Sequence, residues 1–173
     1  MTNFEIAFTH IIDVEGGDIY TNRKADRGGP TKYGISHRVY SEFKGYETSA
    51  QDVKHMTKEE AKLIYKRRYW DVMRLDGLSL PLAIVLFDIG VNRGPATAVK
   101  NLQKVIGSGE DGILGPKTKE MIAVMGEEKA MWEFLKECMR DYIDIARSDE
   151  TQLANLKGWI NRVLHLMELF AVA

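Results

Sequence analysis

The sequence predicts a mainly α chain, with a central buried helix and a small irregular or β-hairpin lobe near the N-terminus. Apolar residues recur at helical spacing through both ends of the chain. One stretch, LAIVLFDIGVN (residues 82–92), is apolar all round, as a helix enclosed by its neighbours must be. Five of the 15 glycines crowd into residues 13–36, DVEGGDIYTNRKADRGGPTKYGIS, a density that suits turns rather than a regular element.

In chain order, residues 3–15 form the first predicted helix, with Asn3 or Thr2 as its N-cap. Phe4, Phe8, Ile11 and Ile12 fall within a stripe of roughly 100°. Glu15 projects into the middle of that stripe, Asp13 points to the opposite face, and Glu5 lies near the edge. Of these three acids only Glu15 faces the packed side, where Gly16-Gly17 stops the helix. Residues 17–35 are expected to be loop, with a short hairpin around IYTN and TKYGI. A short helix is expected over Ser36 to Phe43. The capping-box pattern of Thr57 and Glu60 starts a helix running to about Trp70. Leu80-Pro81 opens the central helix, and Gly94-Pro95 breaks the chain after it. Thr97 to Ile106 and Lys117 to Met125 are helical, separated by the turn cluster GSGEDGILGP. Two long helices follow, at about 127–147 and 151–170. The first carries Met131, Phe134, Leu135, Cys138, Tyr142 and Ile145; the second carries Leu153, Leu156, Ile160, Val163, Leu164 and Met167.

A chain of 173 residues fits one domain, or one domain with a small appended lobe. Its 45% apolar and 28% charged residues are ordinary for a soluble globular protein. A net charge of −1 gives no basic field to attract nucleic acid, so no nucleic-acid partner is expected. The lone Cys138 excludes an internal disulfide and reads as a buried thiol. The N-terminus has no basic region of the secretory type, and the longest apolar run is broken by Asp88 and too short to span a bilayer. The expectation is therefore synthesis in the cytoplasm with no stable membrane insertion.

The four histidines are scattered, and no HExxH or CxxC spacing exists, so neither a metal site nor a cofactor is expected. Nor is there a GxSxG elbow or a phosphate-binding glycine loop. The carboxylates offer more. An acid facing apolar surroundings has its charged form disfavoured, which is what a general acid near neutral pH requires. Glycoside hydrolysis needs such an acid and a second carboxylate to activate water or attack the sugar. Glu15 suits the first role, and Asp26, on a Gly-Gly loop, suits the second. Each also has a plainer reading: Glu15 as a partly solvated helix-terminal acid, Asp26 as a turn residue bonded to its own loop. Asp88, inside an apolar run, needs a partner, and Arg93 is the candidate. Tyr33, Tyr46, Tyr65, Tyr69 and Trp70 supply either sugar-stacking faces or core. Lys62, Lys66, Arg67 and Arg68 form either a basic face for an anionic wall or a solvated helix surface.

Glu15-Gly16-Gly17, Asp26, Gly28-Gly29, Thr31, Gly34 and Ile35 resemble the N-terminal motif of glycoside hydrolase family 108, the EGG-type N-acetylmuramidases found among phage endolysins. Val91-Asn92-x-Gly94, Leu102-Gln103 and Asp111-Gly112-x-x-Gly115-Pro116-x-Thr118 look like the peptidoglycan-binding-type region that accompanies it. The resemblance implies a lysozyme-like fold and hydrolysis of the β-1,4 bond between N-acetylmuramic acid and N-acetylglucosamine. It carries Glu15 over as catalytic acid. The order Glu, Asp, Thr is also similar to that of phage-type lysozymes, which would make Asp26 the water-activating base and Thr31 its assistant. Tyr33, Gly34, Tyr69 and Asn92 are the expected substrate contacts. Residues 1–92 would be the catalytic region and 93–173 a helical peptidoglycan-binding-like lobe integrated into the same domain.

The expected partner is the peptidoglycan glycan strand, met by a monomer that acts on the cell wall in the periplasm after release by another factor. Two rival readings keep the same fold: a lytic transglycosylase, and a catalytically silent wall-binding or secretion-assisting protein.

Overall fold

The computed structural model describes residues 1–22 and 29–171. The chain packs as two compact units, Met1–Val72 and Met73–Ala173. The sequence-expected regions, 1–92 and 93–173, are drawn by motif rather than by compactness.

In the first unit, α1 (Asn3–Val14) is capped by Thr2, whose hydroxyl accepts from the Glu5 amide while the Glu5 carboxylate accepts from the Thr2 amide. Two orphan donors are satisfied at once. Glu5 also pairs with Lys62 at 3.0 Å, which uses an acid of the helix that does not face the core. The core face is Phe4, Ala7, Phe8, Ile11 and Ile12. At the far end Glu15 is the C-cap, Gly16 and Gly17 both take positive φ (92° and 64°), and the Gly17 amide closes on the Ile12 carbonyl at 2.8 Å. That 6→1 closure is available to glycine without a Cβ penalty.

The expected hairpin is present in shortened form. Strand β1 (Thr31–Lys32) pairs antiparallel with β2 (Ile35–Ser36), with Lys32 opposite Ile35. Its two turn residues, Tyr33 and Gly34, have φ of 53° and 71°, the positive values that a two-residue loop of matching twist demands. The IYTN segment contributes only a bridge, Thr21 to Thr31, with both amide–carbonyl bonds at 2.9 Å.

Helices α2 (His37–Lys44), α3 (Ala50–Lys54) and α4 (Lys58–Tyr65) follow. Sequence reasoning left α3 out, although Ser49 and Asp52 cap it reciprocally. The helix expected to run straight to Trp70 changes character instead. After Tyr65 a π-helical turn spans Lys66–Trp70, and the Asp71 amide bonds the Lys66 carbonyl at 2.9 Å. A π turn accommodates about one residue more than an α turn. The consequence is that Tyr65 and Trp70 both face α1. Trp70 packs edge-on to Phe4 at 5.4 Å between ring centroids, and Tyr65 edge-on to Phe8 at 5.8 Å. Trp70 is fully buried.

The second unit is built on α5 (Leu80–Arg93), with Pro81 in its first turn and every residue from Leu82 to Gly90 buried. It packs against α6 (Pro95–Ile106) and α8 (Glu127–Ser148), with α7 (Pro116–Met125) and α9 (Leu153–Phe170) against α8. Gly90 admits Met73: a Cβ there would lie 2.5 Å from the Met73 methyl. Asp88 is paired, but with Arg162 (3.6 Å), while Arg93 pairs with Asp141 (3.0 Å). The α8 stripe is buried as expected except for Ile145, which is half-buried. The α9 stripe is phased differently. Only Val163 and Leu166 are buried, and Leu153 and Leu164 are 54% and 42% exposed.

Candidate active site

The hairpin is held from three directions. The Lys32 ammonium donates to the Lys54 and Met56 carbonyls at 3.0 Å each and pairs with Asp18 at 3.1 Å. The His37 amide donates to the Pro30 carbonyl at 2.7 Å, and its ring bonds the Thr48 carbonyl. The Tyr65 hydroxyl donates to the Tyr33 carbonyl at 2.9 Å. Two-stranded hairpins are marginal alone, so these anchors fix where the turn lies.

The turn lies against Glu15. A Cβ built on Gly34 would meet the Tyr65 hydroxyl at 2.8 Å, the Glu15 Cβ at 3.0 Å and the Glu15 Oε2 at 3.3 Å. Gly34 is itself exposed, and Glu15 is half-buried. The carboxylate therefore stands beside an exposed backbone bend that has no side chain to cover it, with an apolar helix face behind it. A carboxylate there is within reach of a ligand laid along the turn, the geometric condition for proton donation to a leaving oxygen.

The other sequence-chosen residues distribute unevenly. Thr31 sits in the β1 bridge, and its hydroxyl donates to the Gly29 carbonyl at 3.1 Å. The Tyr33 ring is only 6% exposed, and its phenol is bonded to Asp18. Burial first, and that carboxylate second, push the Tyr33 phenol above its ordinary range; Asp18 is held lower, chiefly by Lys32 and then by Tyr33. Tyr69 is half-buried and tilted against Tyr65, with centroids 5.7 Å apart. Asn92 belongs to the second unit, is exposed, and accepts from the Tyr142 hydroxyl at 2.6 Å. Asp26 lies outside the described residues. Glu15, Gly34 and the Tyr33 backbone thus come together, with Tyr69 one ring away. Sequence reasoning placed Tyr65 only within an aromatic set. Its position at the end of a capped helix was legible, but its hydroxyl's target was not.

The basic residues of α4 and the π turn are spent locally. Lys62 pairs with Glu5, Lys66 with Asp71 and Arg68 with Glu42, while the Arg67 guanidinium lies 5.9 Å over the Phe43 ring. This favours the solvated-surface reading over an anion-binding face. Among the described residues no group of three His, Cys, Asp or Glu could hold a metal ion, and no helix is long and apolar enough to cross a membrane.

The motif residues of the second unit form a different arrangement. The Gln103 side chain, fully buried, donates to the Asp111 carboxylate (2.7 Å), the Ile113 carbonyl (3.0 Å) and the Thr118 hydroxyl (3.0 Å), and accepts from the Gly112 amide (2.8 Å). One amide thereby closes the whole loop between α6 and α7.

Comparison with known proteins divides the chain after α5 rather than between the two compact units. A family model described as glycosyl hydrolase 108 matches residues 8–94, and one described as a predicted peptidoglycan domain matches residues 97–164. Among solved structures, that of Brucella abortus SagA is similar, with 30% identity, a TM-score of 0.73 and 94% of each chain covered. No curated protein sequence matches the chain.

Proposed function

The chain belongs to glycosyl hydrolase family 108, and from that premise we propose that it is a muramidase cleaving the β-1,4 bond between N-acetylmuramic acid and N-acetylglucosamine in peptidoglycan. Its fold is mainly α and lysozyme-like, and its family and second matched region make it a peptidoglycan-acting hydrolase. The finer reading rests on one observation: the Glu15 carboxylate, on a half-buried residue, lies next to the exposed Gly34 turn.

Glu15, in its acid form, donates a proton to the glycosidic oxygen as the bond to the anomeric carbon breaks. Asp26 takes a proton from the attacking water, a role that follows from the likeness of the Glu, Asp, Thr order to that of phage-type lysozymes. Thr31, in β1, is its assistant by the same likeness. Inversion follows if the two carboxyl groups stand about 6.5–9.5 Å apart, and double displacement if they stand about 5 Å apart.

The test is Glu15→Gln, which keeps the shape and removes the acid. Clearing of purified peptidoglycan should fall by at least about a hundredfold, the usual contribution of a general acid. Clearing close to wild type would end the assignment. Mass spectrometry of the products separates the rivals. Reducing muramic ends support hydrolysis, anhydro-muramic ends indicate a lytic transglycosylase, and binding without release indicates a silent wall-binding protein.

A further inference from the structure

We propose that Tyr65 is a positioning residue of the glycosidase site, setting the Gly34 turn against Glu15 through its hydrogen bond to the Tyr33 carbonyl. The inference rests on the reading of Glu15 as the acid.

Three observations carry it. The Tyr65 hydroxyl and the Glu15 carboxylate oxygen lie within 2.8 and 3.3 Å of one point, the place a Cβ on Gly34 would occupy. That point is where the turn packs most closely on the acid: the space a Cβ would need is already taken by these two oxygens and the Glu15 Cβ at 3.0 Å, so the position of the turn and that of the carboxylate are coupled. The hydroxyl is committed to the turn backbone at 2.9 Å, and the Tyr65 ring is fixed between Phe8 (5.8 Å) and Tyr69 (5.7 Å). A rigid ring with a committed hydroxyl transmits the position of α4 to the turn. The π turn beginning at Lys66 lets Trp70 share the α1 face without displacing Tyr65 from it. π turns of this kind recur where a helix must aim a side chain at a functional site.

The hydroxyl acts on geometry, so its loss should affect the chemical step more than substrate capture. A small displacement of a positioned group costs far more in rate than in binding. The test uses soluble glycan strands stripped of peptide. For Tyr65→Phe we expect kcat to fall about tenfold with KM within about twofold, the split that a positioning role predicts. Gly34→Ala puts a methyl group onto the hydroxyl and should cost at least as much. In the Tyr65→Phe background the same Gly34→Ala change should cost less, because the nearest of the atoms it strikes is gone and only the contact with Glu15 remains.

Unchanged kcat in a folded Tyr65→Phe protein overturns the proposal, as do strictly additive losses in the double variant. If Tyr65→Phe does not fold, 4-fluorophenylalanine at position 65, which fills the space of the hydroxyl and cannot donate, decides: full kcat overturns the proposal, and a fall in kcat with KM unchanged supports it. Glu15→Gln runs alongside. Wild-type protein that releases no reducing ends, or an active Glu15→Gln, overturns the muramidase reading and this inference together. An active wild type, a dead Glu15→Gln and an unaffected Tyr65→Phe overturn the positioning role alone.

Discussion

Two glycine-rich loops carry the motifs of this chain, and they use them in opposite ways. The loop between α6 and α7 folds its motif residues inward onto Gln103, which is fully buried and bonded to four groups. The Tyr33–Gly34 turn keeps its motif glycine exposed and brings a half-buried carboxylate beside it. Gly112 takes a φ of 76° and lies against the Ala96 carbonyl, where a Cβ would stand 3.3 Å away. Gly34 takes a similar φ of 71°, but the atoms it admits are a hydroxyl and a carboxylate. The same residue type in the same backbone state packs on a backbone carbonyl in one loop and on a carboxylate and a hydroxyl in the other. A motif alone does not say which; the destination of its polar atoms does.

The sharpest way to break this contrast is Glu15→Gln. It should lower hydrolysis by at least about a hundredfold while leaving the thermal melt nearly unmoved, since a half-buried C-cap contributes little to the core. A large loss of stability would instead make Glu15 a structural residue. Gln103→Ala should give the opposite pattern. It removes a fully buried side chain and leaves the half-buried Gly112 amide without its acceptor, and we expect a loss of about 2 kcal/mol in denaturant unfolding. If Gln103→Ala left stability unchanged and lowered the rate, the loop would belong to the site and the contrast would fail.

A third expectation concerns pH. Tyr40 is buried and its hydroxyl donates to Glu60 at 3.0 Å; burial first, then that bond, raises its pKa from 10.0 to about 12. A group whose folded pKa is raised stabilises fully below the unfolded value and loses that contribution as pH climbs through the folded one. Stability should therefore drop by about 2 kcal/mol between about pH 10 and 12, and Tyr40→Phe should flatten that segment of an alkaline titration followed by circular dichroism. The smallest effect is expected at Cys138. Burial pushes its thiol far up, so a thiol-reactive dye should label the native protein negligibly and the denatured protein fully.

What could be read beforehand was whatever local order encodes. Helical phase singled out Glu15 from Asp13 and Glu5, and the structure uses Glu5 in the N-terminal cap instead. The all-apolar run did become a helix, buried from Leu82 to Gly90. What could not be read depended on partners distant in sequence. Asp88 found Arg162 rather than Arg93, because the arginine five residues on is drawn to Asp141. The face of α9 was mis-phased because its apolar residues nearly encircle it, so periodicity did not choose among them. Tyr65 was legible as an aromatic at a helix end, but its reach to a carbonyl 32 residues earlier is a tertiary fact.

The π turn has a consequence of its own. The register of Phe4 on Trp70 and Phe8 on Tyr65 depends on how many residues separate Tyr65 from Trp70, not on which ones they are. Arg67 and Arg68 are exposed, and their chemistry is replaceable. Their number is not. Removing any one residue between the two aromatics would swing everything after it by roughly 100° about the helix axis, carrying the indole toward solvent. At Arg67 and Arg68 the stretch therefore encodes its contribution to the site as a count, tolerant of substitution and intolerant of deletion.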